Sequence, residues 1–230
     1  MGQAEFGDLC EAVGVREGAW EVGWDGGWAL NLHHFELLPD DFLQQAEVDL
    51  AQKTQGGDQN AIANAKRAIF CQIDRTLVVL GYEPLRWRND RRMETIAALG
   101  FVAPRILAKV NSARNLLEHS YRRAERIDAE DAVDVAALFT DSAATALRAF
   151  PTEFFMGFGG DEQTYERGIR FRLSINGPKL IRLAAFGVGD HREVTLSAED
   201  RSFPRVVALG LASYRGTRVD AALASLLASL

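Results

Sequence analysis

The sequence contains few of the residues that build disulfide frameworks or metal sites. Among 230 residues there are two cysteines, Cys10 and Cys71, and four histidines. Neither cysteine belongs to a Cys-x-x-Cys pair, which excludes a disulfide-rich scaffold and fits a reducing compartment. His33 and His34 are adjacent, so regular structure would point them apart, and no third ligand accompanies them. We therefore predict that the protein uses neither a metal ion nor another cofactor.

Long apolar runs and an excess of positive charge are also missing. No segment approaches the roughly 18 apolar residues that a membrane-spanning helix needs, and the N-terminus lacks a basic region before an apolar one. We therefore expect a cytoplasmic protein with no membrane partner. The net charge is -6 and the pI is about 5.3. An acidic chain is not a general nucleic-acid binder, so any contact with RNA must use a local basic surface.

What is present is enough apolar sequence for a sizeable core, because 47% of the residues are hydrophobic. Composition divides the chain into three parts. Residues 1–38 form a glycine-rich, aromatic N-terminal segment in which Trp20, Trp24 and Trp28 alternate with glycines. This pattern disfavours a helix, and it indicates a packed loop or short strands over the core rather than an aromatic binding box. Residues 39–150 are predicted to be a helical domain, and residues 151–230 a β-rich region with a terminal helix.

The helical part shows apolar residues at spacings of three and four. Pro39-Asp40-Asp41 is typical of a helix start, and this first helix is predicted to reach about Lys53. Gly56-Gly57-Asp58 is predicted to break the chain before a second helix over residues 60–80. Further helices are predicted over residues 92–99, 103–126 and 129–149. The last begins after a cap at Asp128, and its predicted inner side comprises Ala132, Val135, Leu138, Phe139 and Leu147.

After Pro151 the period of the pattern falls to two. From Ile169 to Ile175 apolar residues alternate with polar ones, which predicts a half-buried strand. Asn176-Gly177-Pro178 predicts a turn, and residues 180–188 the hairpin partner. Residues 192–197 and 204–211 are weaker strand candidates, and residues 223–230 a short final helix. The predicted fold class is therefore α+β, a helical part followed by a small antiparallel β-rich region.

One face of the predicted helix 103–126 gathers polar residues that could carry chemistry. On a helical wheel, this face holds Arg114, Asn115, Glu118, His119 and Arg122. His119 can exchange a proton near neutral pH, Arg114 can hold a phosphate through two parallel hydrogen bonds, and Asn115 can orient either group. Together they provide the minimum needed to cleave RNA without a metal. A charged helix face that is merely solvated remains the alternative.

The same stretch resembles a known family. Arg114-Asn115-Leu116-Leu117-Glu118-His119 matches the R-N-x-x-x-H pattern of HEPN domains, and Tyr121 completes the R-x4-H-x-Y form of HEPN toxins paired with minimal nucleotidyltransferase antitoxins. Residues 64–68, 71–74 and 131–139 also resemble the neighbouring helices of that superfamily. The resemblance covers about residues 40–149 and leaves out both ends of the chain.

This resemblance implies a HEPN-like antiparallel helical bundle that forms a homodimer, with two Arg114–His119 pairs meeting at a two-fold axis. It implies a metal-independent endoribonuclease, acting as a toxin or defence effector. His119 would be the general acid or base, and Arg114 would stabilise charge on the phosphate. Glu118 would modulate His119, and Tyr121 would be the residue that a nucleotidyltransferase antitoxin modifies. The alternative is a non-catalytic HEPN module that binds nucleotide, RNA or a partner protein.

Contact with the RNA substrate is assigned to local arginines. Arg122 lies in the motif helix, and Arg88 and Arg91 lie in a second basic cluster over residues 86–92. Trp87 within that cluster could stack on a base, but a tryptophan folded onto the domain is the other interpretation. The exposed face of the predicted hairpin carries further arginines, which either bind phosphate or are simply solvated. These are Arg170, Arg172 and Arg182.

Overall fold

A computed structural model describes residues 2–16, 20–26, 30, 35–101, 123–159, 165–174, 179–189 and 192–228. Its described residues form helices and one five-stranded antiparallel sheet, which confirms the α+β class. The helices are α1 (Gly2–Val13), α2 (Pro39–Ala51), α3 (Gln55–Val79), α4 (Asn89–Ala98), α5 (Arg126–Arg148), α6 (Phe203–Arg215) and α7 (Val219–Leu227), with a 3-10 turn at Pro84–Arg86. The strands are β1 (Glu21–Gly26), β2 (Glu153–Phe158), β3 (Arg167–Leu173), β4 (Leu180–Phe186) and β5 (Glu193–Ser197).

The first helical hairpin forms largely as predicted, but its turn lies elsewhere. Helix α2 begins at Pro39, and the Asp41 carboxylate accepts a hydrogen bond from the Leu38 N–H at 2.7 Å. The predicted break at Gly56-Gly57-Asp58 is wrong, because these residues form the first turn of α3. The Thr54 side chain accepts a hydrogen bond from the Gly57 N–H at 3.1 Å, so Thr54 is the N-cap that starts α3.

Helix α3 is the centre of the helical layer. It packs against both α2 and α5, and α2 also contacts α5. Its buried side includes Ile62, Ile69, Ile73 and Leu77, whose spacing follows the helical repeat. Gly81 ends the helix with a φ of 91°, a conformation that glycine adopts without steric cost.

Three predictions about α5 and the residues before it are wrong. Residues 123–125 are not helical, and α5 begins at Arg126 after the N-cap Glu125, so Asp128 lies in its first turn rather than at the cap. Leu138 was predicted on the inner side, but its exposure is 71%. The neighbouring Phe139 was also predicted on the inner side, and its burial confirms that prediction.

The sheet joins the two ends of the chain. Its strand order is β1-β2-β3-β4-β5, so the N-terminal strand pairs with the first strand of the C-terminal region. The predicted pairing of β3 with β4 is confirmed, as is β5 within residues 192–197, while the predicted turn at residues 176–178 lies outside the described residues. Helix α1 was not predicted, and it lies on the sheet with Phe6, Leu9 and Val13 buried.

A helix replaces the strand predicted over residues 204–211. Phe203, Val206, Val207, Gly210 and Leu211 are buried in α6 at spacings of three and four. Gly210 lies against the ring of Phe154, and a Cβ added there would lie 2.8 Å from that ring. The run of valines and leucines is thus one apolar helix face rather than a strand. The predicted final helix corresponds to α7.

Trp20 packs against the core, as predicted, whereas Trp24 is 40% exposed. The Trp20 indole N–H donates to the Val15 carbonyl at 2.7 Å, and the Trp20 ring lies 5.4 Å from that of Phe158. The Trp24 ring contacts Tyr214 of α6, while Trp28 lies outside the described residues. No helix within the described ranges has the length and apolar character required to cross a membrane.

Candidate functional site

The motif that the sequence singles out falls in residues 102–122, which the structure leaves undescribed. The predicted site residues outside the described ranges are Arg114, Asn115, Glu118, His119, Tyr121 and Arg122. Their predicted roles therefore stay predictions, and the described residues on either side define where this segment begins and ends.

Both ends of the segment are attached to the rest of the fold. Before it, Phe101 is buried and the Gly100 carbonyl accepts a hydrogen bond from the Arg215 guanidinium of α6 at 3.3 Å. After it, Ala124 is buried and its carbonyl accepts a hydrogen bond from the Gln55 side chain at 2.9 Å. The chain thus leaves the α4–α6 contact and returns at the start of α3.

Arg126 fixes the start of α5 next to that return point. Its guanidinium donates to the Leu50 carbonyl at 2.6 Å, to the Asp58 carboxylate at 3.0 Å and to Glu130 at 2.6 Å. The hydrogen bonds to Glu130 and Asp58 raise the pKa of Arg126 above its ordinary value. These contacts join α2, α3 and α5, so the Arg126 guanidinium is engaged in holding three helices together.

A cavity of about 400 Å³ lies beside Arg126 between α2 and α5. It is lined by Glu47, Leu50, Ala51, Arg126, Glu130 and Asp134. Three of these side chains are carboxylates, and the guanidinium among them is already paired with Glu130. The cavity is therefore acidic, which disfavours a phosphate and suits a cationic group.

Part of the basic cluster of residues 86–92 is engaged in internal contacts. The Trp87 ring packs edge-on against Tyr82, and the Arg91 guanidinium lies 3.9 Å from the Trp87 ring centroid. This confirms a tryptophan folded onto the domain. Arg92 pairs with Asp74 at 2.8 Å, and both side chains are mostly buried. Arg88 is exposed and lies 3.6 Å from Asp90, so Arg88 and Arg91 are at the surface, where the predicted RNA contact requires them.

A buried polar network joins α2 to α3 and had no signal in the sequence patterns. Asp49 is 4% exposed, and its carboxylate accepts a hydrogen bond from the Asn64 amide at 2.8 Å. Gln45 and Gln52 also donate to Asp49, and Arg67 donates to the Asn64 carbonyl oxygen at 3.0 Å. Every group in this network has a partner, so its role is to hold the two helices in register.

The two cysteines are not activated nucleophiles. Burial raises the pKa of the Cys10 thiol to about 12 and that of the Cys71 thiol to about 11. Both therefore remain protonated near neutral pH. Cys71 is only half-buried, and its thiol contacts the Leu37 carbonyl at 3.5 Å. The described ranges contain no group of three or more His, Cys, Asp or Glu side chains able to hold a metal ion.

The predicted arginine face of the β3–β4 hairpin is present. Arg170 lies 3.6 Å from Asp25, and Arg172 lies 2.9 Å from Glu153. Arg182 is exposed and stands directly opposite Arg172 across the two strands.

Comparison of the chain with protein families, with curated proteins and with solved structures gave no match. The resemblance to HEPN domains therefore depends on the motif and its flanking residues in the sequence.

Proposed function

We propose that this protein is a metal-independent endoribonuclease of HEPN type whose site is formed by Arg114, Asn115 and His119. The observation that carries the proposal is the R-N-x-x-x-H motif, with the histidine and arginine on one face of the predicted helix. Its described surroundings are compatible with it. Helices α2, α3 and α5 form one packed layer, and the motif segment is attached to the fold at both of its ends.

The proposed reaction uses the ribose of the substrate as the nucleophile. His119 takes the proton of the 2′-hydroxyl, and the 2′-oxygen then attacks the adjacent phosphorus. Arg114 stabilises the added negative charge on the phosphate oxygens. The bond between phosphorus and the 5′-oxygen breaks, that oxygen takes up a proton from water, and the proton held by His119 returns to solvent. The products are a 2′,3′-cyclic phosphate and a free 5′-hydroxyl. Arg122, Arg88 and Arg91 supply local positive charge along the RNA.

Cleavage of RNA in the presence of EDTA tests this proposal. Wild type should cleave, and His119→Ala should lose about 10²–10⁴ in rate, which is the usual contribution of a positioned acid or base. Arg114→Lys should not restore full activity, because an ammonium lacks the planar fork of a guanidinium. Arg148→Lys, on the exposed end of α5, is the matched control and should leave the rate unchanged. Metal-dependent cleavage, or full activity of His119→Ala and Arg114→Ala, would exclude the proposal.

The toxin form of the proposal concerns Tyr121. If a nucleotidyltransferase antitoxin partners this chain, Tyr121 should be the residue that it adenylylates. Mass spectrometry after incubation with that enzyme and ATP would locate the modification. Modification at another residue, or none, would exclude the toxin–antitoxin form while leaving the nuclease proposal intact.

A non-catalytic HEPN module is the second candidate, and one observation favours it. The cavity beside Arg126, close to where the motif segment returns to the fold, is lined by Glu47, Glu130 and Asp134. Such a surface repels RNA and suits a partner with basic side chains. This candidate requires that no RNA is cleaved under any condition, with or without metal.

A further inference from the structure

The outer face of the five-stranded sheet carries three exposed arginines in a fixed arrangement. Arg170 and Arg172 alternate along β3, and Arg182 on β4 stands directly opposite Arg172. The side chains of Arg170 and Arg172 are 56% and 57% exposed. Helices α1 and α6 pack on the other face of the sheet, which holds the buried residues Phe154, Ile169 and Leu183.

The three arginines share this face with four carboxylates, which belong to Glu21, Asp25, Glu153 and Glu193. Like charges directly opposite each other across two strands destabilise a sheet. Glu153 offsets Arg172 at 2.9 Å, and Asp25 lies 3.6 Å from Arg170. Arg182 has no ion pair or hydrogen bond with any residue of the described ranges, and its neighbour on β5 is the neutral Thr195. The sheet therefore presents a guanidinium fork that an external anion can occupy.

Aromatic rings lie beside these arginines on a floor of small residues. The Phe155 ring lies across Gly23, where an added Cβ would lie 2.5 Å from it. The Phe186 ring lies across Gly168 in the same way, and a Cβ added at Gly168 would lie 2.4 Å from that ring. Both phenylalanines are only half-buried. The Tyr165 ring packs on Phe155 with the ring centroids 5.2 Å apart, so these two half-buried rings form one aromatic patch next to Arg170. Ala184 separates Phe186 from Arg182 along β4, which leaves a small side chain beside the Phe186 ring.

We propose that this outer sheet face binds single-stranded RNA. Arg182, Arg170 and Arg172 contact phosphates, and Phe155 and Phe186 stack on bases. Guanidinium forks suit phosphate, exposed rings suit unpaired bases, and paired bases in a duplex cannot reach such rings. The carboxylate-lined cavity between α2 and α5 disfavours phosphate on the helical layer, whereas Arg182 on the sheet offers a guanidinium without a described ion pair. The choice of RNA rests on the proposed function, and the surface itself does not include the motif.

Binding of a fluorescein-labelled uridine dodecamer tests the proposal, with all variants made in the His119→Ala chain so that no probe is cut. Arg182→Gln and Arg170→Gln should each reduce the slope of log affinity against log salt by about 0.7, the value for one phosphate contact with a single strand. Phe186→Leu should weaken binding about tenfold through lost stacking. Arg148→Gln removes an exposed arginine from the end of α5 and should leave both affinity and slope unchanged. Urea unfolding of each variant verifies that the fold is retained, and Phe155→Leu gives a second test of stacking.

The outcomes separate this proposal from the nuclease proposal. Unchanged binding in the arginine variants, equal loss in Arg148→Gln, or equal affinity for a duplex of the same length overturns RNA binding by the sheet. Binding to vesicles of equal parts phosphatidylcholine and phosphatidylserine, without binding to the dodecamer, also overturns it. Sheet-dependent binding without cleavage by the wild-type chain leaves the sheet proposal standing and removes the nuclease. If the active chain cleaves RNA and the sheet substitutions leave its KM unchanged, the sheet proposal is overturned and the nuclease proposal stands.

Discussion

Glu118 is adjacent to His119 in the sequence, and its charge affects both proposed functions of the motif. A carboxylate beside a histidine stabilises the imidazolium, and it also repels the phosphates of an RNA substrate. Glu118→Gln removes the charge and keeps the shape. We expect tighter RNA binding and a lower pH at which His119 loses its proton, measured from the pH dependence of cleavage and from affinity.

The control for this variant is Glu199→Gln, which removes one exposed carboxylate from the turn after β5. It should shift neither the pH profile nor the affinity. If both variants behave alike, the effect of Glu118 is one of net charge and the residue has no local role at the site.

Asp74 of α3 and Arg92 of α4 form a mostly buried ion pair. Burial raises the pKa of Asp74 while Arg92 lowers it, so attraction within the pair does not offset the desolvation of the carboxylate. Removing Asp74 nevertheless leaves Arg92 buried without a counter-charge. We expect Asp74→Ala to lower the free energy of unfolding by about 3 kcal/mol in urea denaturation.

Two comparisons make the Asp74 prediction specific. Asp90→Ala breaks an exposed pair with Arg88 and should cost less than about 1 kcal/mol. The double variant Asp74→Leu with Arg92→Met should be more stable than Asp74→Ala alone, because no unpaired charge is left buried. Equal losses for Asp74→Ala and Asp90→Ala would contradict this account.

Among the elements, those set by local periodicity could be predicted and those set by distant contacts could not. Helix α2, the body of α3 and the β3–β4 hairpin carry regular apolar spacing and form close to their predicted places, although α3 begins at Gln55 rather than near residue 60. Helix α1 and the pairing of β1 with β2 depend on residues more than a hundred positions away. Helix α6 shows why an apolar run alone is ambiguous, since its period becomes clear only when Gly210 is seen to pack on Phe154.

Gly56 and Gly57 lie in the first turn of α3, and substitutions at these two positions test why this pair of glycines does not break the helix. An added Cβ at Gly57 would lie 2.5 Å from the Asp49 carbonyl oxygen, whereas at Gly56 nothing lies within 4 Å. Gly57→Ala must therefore push α2 and α3 apart, and we expect a loss of about 1–3 kcal/mol in the free energy of unfolding. Gly56→Ala should instead be neutral or stabilise by up to about 1 kcal/mol, because alanine favours the helix. Thermal unfolding of both variants distinguishes them, and a loss of the same size at both positions would contradict the steric explanation.

In the whole molecule, the sheet binds the N-terminal segment to the C-terminal region while the helical layer lies between them in sequence. One continuous core includes Phe6 of α1, Ile73 of α3, Leu147 of α5 and Leu196 of β5. The division into three parts at residues 38 and 150 thus follows composition, and buried contacts cross both boundaries. Composition could not reveal this, because strand pairing between β1 and β2 leaves no local pattern in either segment.

The assembly expected from the HEPN resemblance is a homodimer in which two Arg114–His119 pairs meet at the two-fold axis. We expect light scattering at micromolar concentration to give twice the mass of the chain.

A site shared between subunits also predicts that two inactive variants can complement each other. Mixing inactive His119→Ala with inactive Arg114→Ala chains should restore part of the RNA cleavage, since the mixed dimer brings one arginine and one histidine to the same axis. Leu138→Glu, on the exposed side of α5, is the control and should remain dimeric if that side lies away from the axis. A monomer would contradict the shared site, and a dimer without complementation would place each catalytic pair within a single subunit.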